Sequence, residues 1–192
     1  MLNLANKITL ARICIIPLII IMMYFPGRGL CALTMLLFLL ASLSDLLDGF
    51  VARRFNQVSS FGKFLDPVAD KLLICSVLVM LVQLNWIPAW AAIVVVGREI
   101  LVTCLRAMAA EKGIVIAADA YGKAKTLLQV VALCPLILHY EWFGLNPQPA
   151  GIIILYLAVL MTIFSGGNYL YNFYRKLLYE KNAAGREQEK SL

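Results

Sequence analysis

The chain has 192 residues, of which 62% are hydrophobic and 15% are charged, and its formal net charge is +6. A soluble domain is usually about half apolar and about a quarter charged, so this composition excludes an ordinary soluble globular protein and favours an integral membrane protein. The basic residues lie in short stretches between apolar runs, which favours a role in membrane topology over nucleic-acid binding.

Six apolar runs follow one another along the chain, each close to the ~20 residues that a helix needs to cross a bilayer. They are Ile8–Phe25, Leu30–Val51, Phe64–Leu84, Pro88–Met108, Tyr121–Tyr140 and Pro149–Leu170. We therefore expect an all-α fold in which residues 1–180 form one membrane domain, a bundle of six transmembrane helices. Residues 181–192 are charged and small, and we expect them to form a disordered cytoplasmic tail.

The distribution of basic residues predicts the orientation of these helices. Fourteen of the 17 lysines and arginines fall on one side of the predicted bundle, and only Arg28 falls on the other. Since basic residues of short loops remain in the cytoplasm, both termini are expected there. The sequence thus predicts a multi-pass protein of the cell inner membrane.

Four aspartates interrupt two of the apolar runs at the same, cytoplasmic end. Asp45 and Asp48 are three residues apart, and Asp66 and Asp70 are four apart, so each pair shares one helix face. Ionised side chains at such depth are costly and usually mark function. Pairing with nearby bases would balance their charge, but hard divalent cations explain the cluster better, because Mg²⁺ prefers carboxylate oxygens and leaves positions for substrate phosphates.

The residues around these aspartates match a family signature. It comprises eight positions at fixed spacing, namely Asp45, Asp48, Gly49, Ala52, Arg53, Gly62, Asp66 and Asp70. The chain thereby resembles the CDP-alcohol phosphatidyltransferases, and the six-helix layout extends the likeness over most of its length. Shorter stretches resemble one branch of that family, the bacterial phosphatidylglycerophosphate synthases. They are Asn6-Lys7-Ile8-Thr9 with Arg12, Gly97-Arg98-Glu99, and Gly122-Lys123-Ala124-Lys125-Thr126.

The resemblance implies a transferase that moves a phosphatidyl group from CDP-diacylglycerol to an alcohol and releases CMP. It implies that the four aspartates hold two divalent cations, Mg²⁺ or Mn²⁺, and that Asp70 is also the general base. It implies contacts to the nucleotide side of the donor at Asn6, Gly49, Ala52, Arg53, Ser59 and Gly62. For Ser59, a helix cap is the alternative. The narrower likeness implies sn-glycerol 3-phosphate as the acceptor, and the family is commonly homodimeric.

Four bases are candidates for binding the acceptor phosphate: Arg98, Arg106, Lys123 and Lys125. Arg98 lies well inside the fourth run. A pair with Glu99 is the alternative, but adjacent residues of a helix do not face each other. Arg98 and Arg106 are eight residues apart and lie on roughly one side of the helix. Lys123 and Lys125 differ by about 200° around a helix, so only one is expected to reach inward, and a topological role is the alternative for both.

Two aromatic features are better explained by packing than by chemistry. His139 is the one histidine of the chain and lies at the opposite end from the aspartates, where we expect it to pack at the membrane interface. The tyrosines from Tyr169 to Tyr179 resemble an interfacial belt that precedes a basic tail.

Three alternatives remain open. The same family with serine, inositol phosphate or phosphatidylglycerol as the acceptor would use the same aspartates, although uncharged or zwitterionic acceptors need fewer deep bases. An intramembrane prenyltransferase also uses aspartate-rich, metal-dependent sites, but it fits the glycines and the arginine of the signature poorly. A cation transporter would place its acidic site near the midplane and would often show internal repeats, whereas these aspartates lie at one edge and no repeat is visible.

Overall fold

The computed structural model describes the backbone of residues 4–55, 60–111 and 120–190, and the side chains of residues 9–44, 68–109, 111 and 125–176. Six α-helices make up this backbone, so the predicted all-α class is confirmed. They are α1 Leu4–Tyr24, α2 Arg28–Phe55, α3 Ser60–Gln83, α4 Ala89–Glu111, α5 Ala120–Leu138 and α6 Gln148–Lys190. Within these residues the one extended pairing is an isolated bridge between Trp142 and Leu145.

The helices end at the predicted breaks because local hydrogen bonds satisfy their terminal groups. Asn85 follows α3 in the left-handed conformation (φ 58°), and the amide of Trp86 donates a hydrogen bond of 2.9 Å to the carbonyl of Leu81. This pattern closes the last turn of a helix. At the start of α6, Asn146 Oδ1 accepts a hydrogen bond of 3.0 Å from the amide of Gln148 and so caps the first turn.

Three connectors meet at one end of the bundle, which we call the connector end: residues 25–27, 84–88 and 139–147. The rings of Trp86 and His139 stack with their centroids 3.7 Å apart. The hydroxyl of Tyr140 donates a hydrogen bond of 3.1 Å to the carbonyl of Pro26. These contacts tie the three connectors together and confirm that His139 is a packing residue.

The interior of the helix bundle has an apolar half and a polar half. α5 packs along α6, α1 packs against α2 and α3, and α4 packs against α6. The half toward the connector end is filled by aliphatic side chains such as Ile19, Leu78 and Leu136. Apart from Thr34, the buried polar side chains concentrate in the other half, at Thr9, Arg12, Lys125, Gln129, Thr162 and Ser165. We call this second end, where α2 finishes and α3 begins, the carboxylate end.

A glycine permits a close contact between α5 and α6. A methyl group built on Gly151 of α6 would lie 2.7 Å from Cγ of Leu136 in α5, which is closer than such atoms approach in real structures. Leu136 is fully buried, so it has no free space into which to move. The interface between α5 and α6 therefore depends on the absence of a side chain at this position.

The outer surface of the bundle is apolar. Large hydrophobic side chains are well exposed on all six helices, as at Ile21, Leu33, Val79, Ile93, Leu127 and Leu160. Among the described residues one helix, Gln148–Lys176, is long and apolar enough to cross a bilayer, and three other apolar helical stretches are shorter. In α4 the charged residues Arg98, Glu99 and Arg106 divide the helix into apolar stretches that are shorter than a membrane crossing. Six membrane crossings and the side on which the termini lie therefore stay predictions.

The helices are longer than the predicted apolar runs. α2 continues to Phe55 and α3 begins at Ser60, so the four aspartates lie on helical backbone. α6 continues to Lys190, which differs from the disordered tail predicted for residues 181–192. That segment is rich in Ala, Glu, Lys and Arg, which have high helix propensity. The division of the chain into a membrane domain and a tail stays a prediction.

Candidate functional site

The two aspartate pairs lie on consecutive helices at the carboxylate end. Asp45 and Asp48 belong to the last part of α2, and Asp66 and Asp70 belong to the first part of α3. The side chain of Asp70 is partly buried. Several predicted site residues lie outside the described side chains: Asp45, Asp48, Asp66, Asn6, Gly49, Ala52, Arg53, Ser59, Gly62 and Lys123.

Four basic side chains lie near one another, two of them, Lys71 and Lys125, next to Asp70. We call the four the basic cluster: Lys71, Arg98, Arg106 and Lys125. They come from α3, α4 and α5, and their charges lie close enough to act on one another. Among the described side chains, Asp70 and Glu99 supply the negative charge next to them. Counted over the described side chains alone, these four bases exceed the two carboxylates by two positive charges.

Arg98 projects from α4 onto α6. Its Nη2 donates a hydrogen bond of 2.5 Å to Ser165 Oγ, and its Cγ would lie 3.1 Å from a methyl group built on Gly166. Its Nε is buried and makes no hydrogen bond to any residue that the structure describes. α6 thus supports the stem of Arg98 and holds one side of its guanidinium, while the Nε–H group points to no protein acceptor in the described chain.

Glu99 joins two of the predicted acceptor-site bases. Its Oε1 forms an ion pair with Lys125 Nζ and lies 3.4 Å from Arg98 Nη1. The expectation that Arg98 and Glu99 do not contact each other is wrong, because both side chains are long enough to turn toward one another from adjacent positions. Lys125 is only 2% exposed, so it reaches inward, as expected for one of the two lysines near the start of α5.

Arg106 and Lys71 extend the cluster toward the end of α4. The guanidinium of Arg106 lies 5.9 Å from the ring centroid of Tyr169 in α6, so Arg98 and Arg106 both face α6, as their spacing predicted. Lys71 Nζ donates a hydrogen bond to Thr103 Oγ1. This contact links the Asp70 segment of α3 to α4.

Arg12 of α1 lies inside the bundle. It is 2% exposed, and its Nε donates a hydrogen bond of 3.1 Å to the carbonyl of Ala41 in α2. Ala41 precedes Asp45 by one helical turn, so this contact joins α1 to α2 just before the first aspartate. The burial of Arg12 and this hydrogen bond show that it has a packing role.

The interfacial belt predicted for the tyrosines of α6 is wrong for Tyr169. Its side chain is 4% exposed and faces α4, whereas Tyr171 and Tyr174 on the same helix are each 64% exposed. Residues two and five positions further along an α-helix point in other directions, so one tyrosine can enter the bundle while the others face outward. Tyr169 thus belongs to the polar half of the bundle.

The donor set at the carboxylate end suits hard divalent cations. Carboxylate oxygens are preferred ligands of Mg²⁺, and four aspartates lie on the two helices that meet there. Within the described side chains, which include only Asp70 of the four, no group of three His, Cys, Asp or Glu residues could hold a metal ion. The residue types on these two helix ends are thus the ones that such cations prefer, and the cation site itself stays a prediction.

Comparison with known proteins assigns the chain to a family. Residues 2–164 match the family model described as CDP-alcohol phosphatidyltransferase. A Bacillus subtilis protein named CDP-diacylglycerol--glycerol-3-phosphate 3-phosphatidyltransferase is 45% identical over 88% of this chain and 94% of its own length. Proteins of the same name from Rickettsia felis and Haemophilus influenzae are 40% and 38% identical over 87% and 88% of this chain, and over 93% and 91% of their own lengths. The chain therefore belongs to the CDP-alcohol phosphatidyltransferase family.

Proposed function

We propose that the chain transfers the phosphatidyl group of CDP-diacylglycerol to sn-glycerol 3-phosphate and so produces phosphatidylglycerophosphate and CMP. Membership of the family sets aside the prenyltransferase and cation-transporter alternatives. The names of the relatives state this donor and this acceptor. In the structure of this chain, the basic cluster next to Asp70 is the observation that supports a phosphorylated acceptor.

The charge of the basic cluster matches an acceptor that carries a phosphate group. The cluster has two positive charges in excess of Asp70 and Glu99, and a phosphate monoester carries about −1.5 to −2 charges at pH 7. Cations held inside a protein without a counter-charge are costly, so binding of such an anion stabilises the site. Serine and phosphatidylglycerol carry no dianionic phosphate. Inositol phosphate does, on a larger alcohol, and it is the alternative that needs a direct test.

We assign the acceptor phosphate to Arg98, Arg106 and Lys125, and on the resemblance also to Lys123. Arg98 supports this assignment most strongly, because its guanidinium is held by Ser165 and still has a buried Nε–H group without a partner in the described chain. Arginine offers a planar set of donors that suits phosphate oxygens. The ion pair with Glu99 keeps Lys125 at the same site.

On the donor side, two divalent cations, Mg²⁺ or Mn²⁺, would be held by Asp45, Asp48, Asp66 and Asp70. When bound, such ions neutralise the charge of the donor diphosphate and of the departing CMP. Asp70 accepts the proton of the acceptor hydroxyl, a role supported by its place next to Lys71 and Lys125 of the basic cluster. The nucleotide side of CDP-diacylglycerol contacts Asn6, Gly49, Ala52, Arg53, Ser59 and Gly62 in this proposal.

We also propose that all six helices cross the cell inner membrane, with the carboxylate end facing the cytoplasm, and that two copies form a homodimer. The apolar outer surface supports a lipid environment, and the location of fourteen of the 17 bases supports the orientation. The lipid donor can then reach the site from the bilayer and the acceptor from water. Reporter fusions at the C-terminus test the orientation, and cross-linking in native membranes tests the dimer.

The deciding experiment measures CMP release by the purified protein in lipid–detergent micelles with CDP-diacylglycerol and Mg²⁺. Acceptors are supplied one at a time: glycerol 3-phosphate, inositol phosphate, serine and phosphatidylglycerol. We expect release with glycerol 3-phosphate and background levels with the other three. Turnover with serine and none with glycerol 3-phosphate would overturn the acceptor assignment. Asp70→Asn should abolish release while the protein keeps its elution volume and thermal midpoint, and unchanged release would remove Asp70 from its role.

A further inference from the structure

We propose that the hydroxyl group of Tyr169 is a further ligand of the acceptor phosphate, which it binds together with Arg98 and Arg106. The inference rests on the proposed function in one respect only, namely that the basic cluster binds a phosphorylated acceptor. It adds a neutral donor from α6 to a site that is otherwise formed by charged groups of α4 and α5.

The position of Tyr169 in the α4–α6 interface is the first observation. The guanidinium of Arg106 lies over its ring, and its phenol group is within electrostatic reach of Arg98. On α6, Tyr169 follows Ser165 by four residues, so both lie on the face that meets Arg98. The two arginines and the tyrosine thus surround one region of the polar half of the bundle.

The state of the hydroxyl group is the second observation. Tyr169 is 4% exposed, and its hydroxyl makes no hydrogen bond to any residue that the structure describes. A buried tyrosine hydroxyl normally has a partner, and an exception requires an explanation. The guanidinium groups beside it have donors and no acceptor, so they cannot receive its O–H hydrogen. An anion drawn to Arg98 and Arg106 supplies the missing acceptor.

A purely structural role does not account for the hydroxyl. One turn further along α6, Phe173 forms a small apolar cluster with Ala109 and Leu105 of α4, and such side chains offer no acceptor to a hydroxyl group. Phenylalanine would provide the same ring for packing and for the contact with Arg106. The oxygen atom is therefore the part of Tyr169 that calls for a ligand, and the Nε–H group of Arg98 is a second buried donor with the same need.

The experiment compares Tyr169→Phe with Tyr171→Phe, a control on the same helix whose side chain is 64% exposed. Loss of a hydrogen bond to a charged group should raise the KM for glycerol 3-phosphate about tenfold or more. The kcat at saturating acceptor and the KM for CDP-diacylglycerol should stay within about twofold of wild type, since the phosphate is remote from the reacting hydroxyl. The thermal midpoint should be unchanged or higher, because an unpaired buried hydroxyl is removed. Tyr171→Phe should match wild type throughout.

A second readout needs no turnover. Glycerol 3-phosphate and inorganic phosphate, each without CDP-diacylglycerol, should raise the thermal midpoint of wild type and of Tyr171→Phe, and should raise that of Tyr169→Phe less. An unchanged KM together with an unchanged midpoint shift in Tyr169→Phe would overturn the inference, as would a fall in kcat and stability without a specific change for the acceptor. If wild type releases no CMP with glycerol 3-phosphate, the proposed function fails, and the phosphate-dependent shift still decides the role of Tyr169.

Discussion

Substitution of Gly166 by alanine tests whether α6 sets the position of Arg98. The added Cβ would lie 3.1 Å from Cγ of Arg98, so the aliphatic part of the arginine side chain must move away by a few tenths of an ångström. A displacement at Cγ grows along the three bonds to the guanidinium carbon, and it also strains the hydrogen bond to Ser165. The adjacent Gly167 offers a matched control, because a methyl group there would meet nothing within 4 Å.

The size of the effect follows from the precision that a phosphate site requires. A misplacement of about 1 Å can cost about a hundredfold in rate, so a shift of about half that distance at the guanidinium should lower kcat/KM for glycerol 3-phosphate about tenfold. This corresponds to about 1.4 kcal/mol of transition-state stabilisation. Both substitutions also replace a helical glycine by alanine, which favours the helix by about 0.8–1 kcal/mol in either case. Helix propensity therefore cancels in the comparison.

The assay is CMP release as a function of glycerol 3-phosphate at saturating CDP-diacylglycerol, for wild type and for the two variants. We expect Gly166→Ala to lose activity mainly through the KM for the acceptor, and Gly167→Ala to retain the wild-type value. Equal activity of the two variants would refute the reasoning, because it would mean that the contact between Gly166 and Arg98 does not control the site. A parallel loss in both would point to α6 flexibility in place of arginine position.

Three other perturbations address the bundle and the aspartates. Gly151→Ala should destabilise the protein by about 1–3 kcal/mol, since its methyl group would overlap Leu136, and a thermal midpoint no lower than that of Gly167→Ala would contradict this. Arg12→Lys should cost about 1.5–3 kcal/mol, because lysine has no Nε–H group at the right distance from the Ala41 carbonyl, and thermal unfolding in detergent measures the loss. Removal of divalent cations by EDTA should abolish CMP release, and Mg²⁺ or Mn²⁺ should restore it. Activity that survives EDTA would argue against the two-cation site.

The sequence predicted the helices well because the relevant signals are local. Apolar runs of the right length are interrupted at positions such as Asn85 and Asn146, and the structure shows these residues closing α3 and capping α6. Helical periodicity predicted the common side of Arg98 and Arg106, and it predicted that one of Lys123 and Lys125 reaches inward, as Lys125 does. The side chains of the aspartates other than Asp70 lie outside the described ones, so the geometry of that part of the site stays a prediction.

Contacts between helices were harder to foresee because they depend on how each helix is rotated about its axis. Tyr169 stands among several tyrosines before a basic segment, and composition alone gives the same pattern for an interfacial belt. A finer signal was present: Ser165, Tyr169 and Phe173 are spaced by four residues and so share one helix face. The contact between Arg98 and Glu99 was missed for another reason, since the rule on helical neighbours concerns their initial directions and not the reach of long side chains.

The tied connectors have a mechanical consequence for the basic cluster. Trp86 stacks on His139, and the hydroxyl of Tyr140 donates a hydrogen bond to the carbonyl of Pro26. These contacts hold the helices together at the connector end, so a helix that tilts about this end moves most at the other end. Tyr169 lies about 33 Å along the axis of α6 from Pro147, so a tilt of α6 by only about 2° moves Tyr169 by about 1 Å. Small tilts of α6 that leave the contacts of the connector end unchanged are therefore enough to widen or narrow the gap between Tyr169 and the arginines of α4.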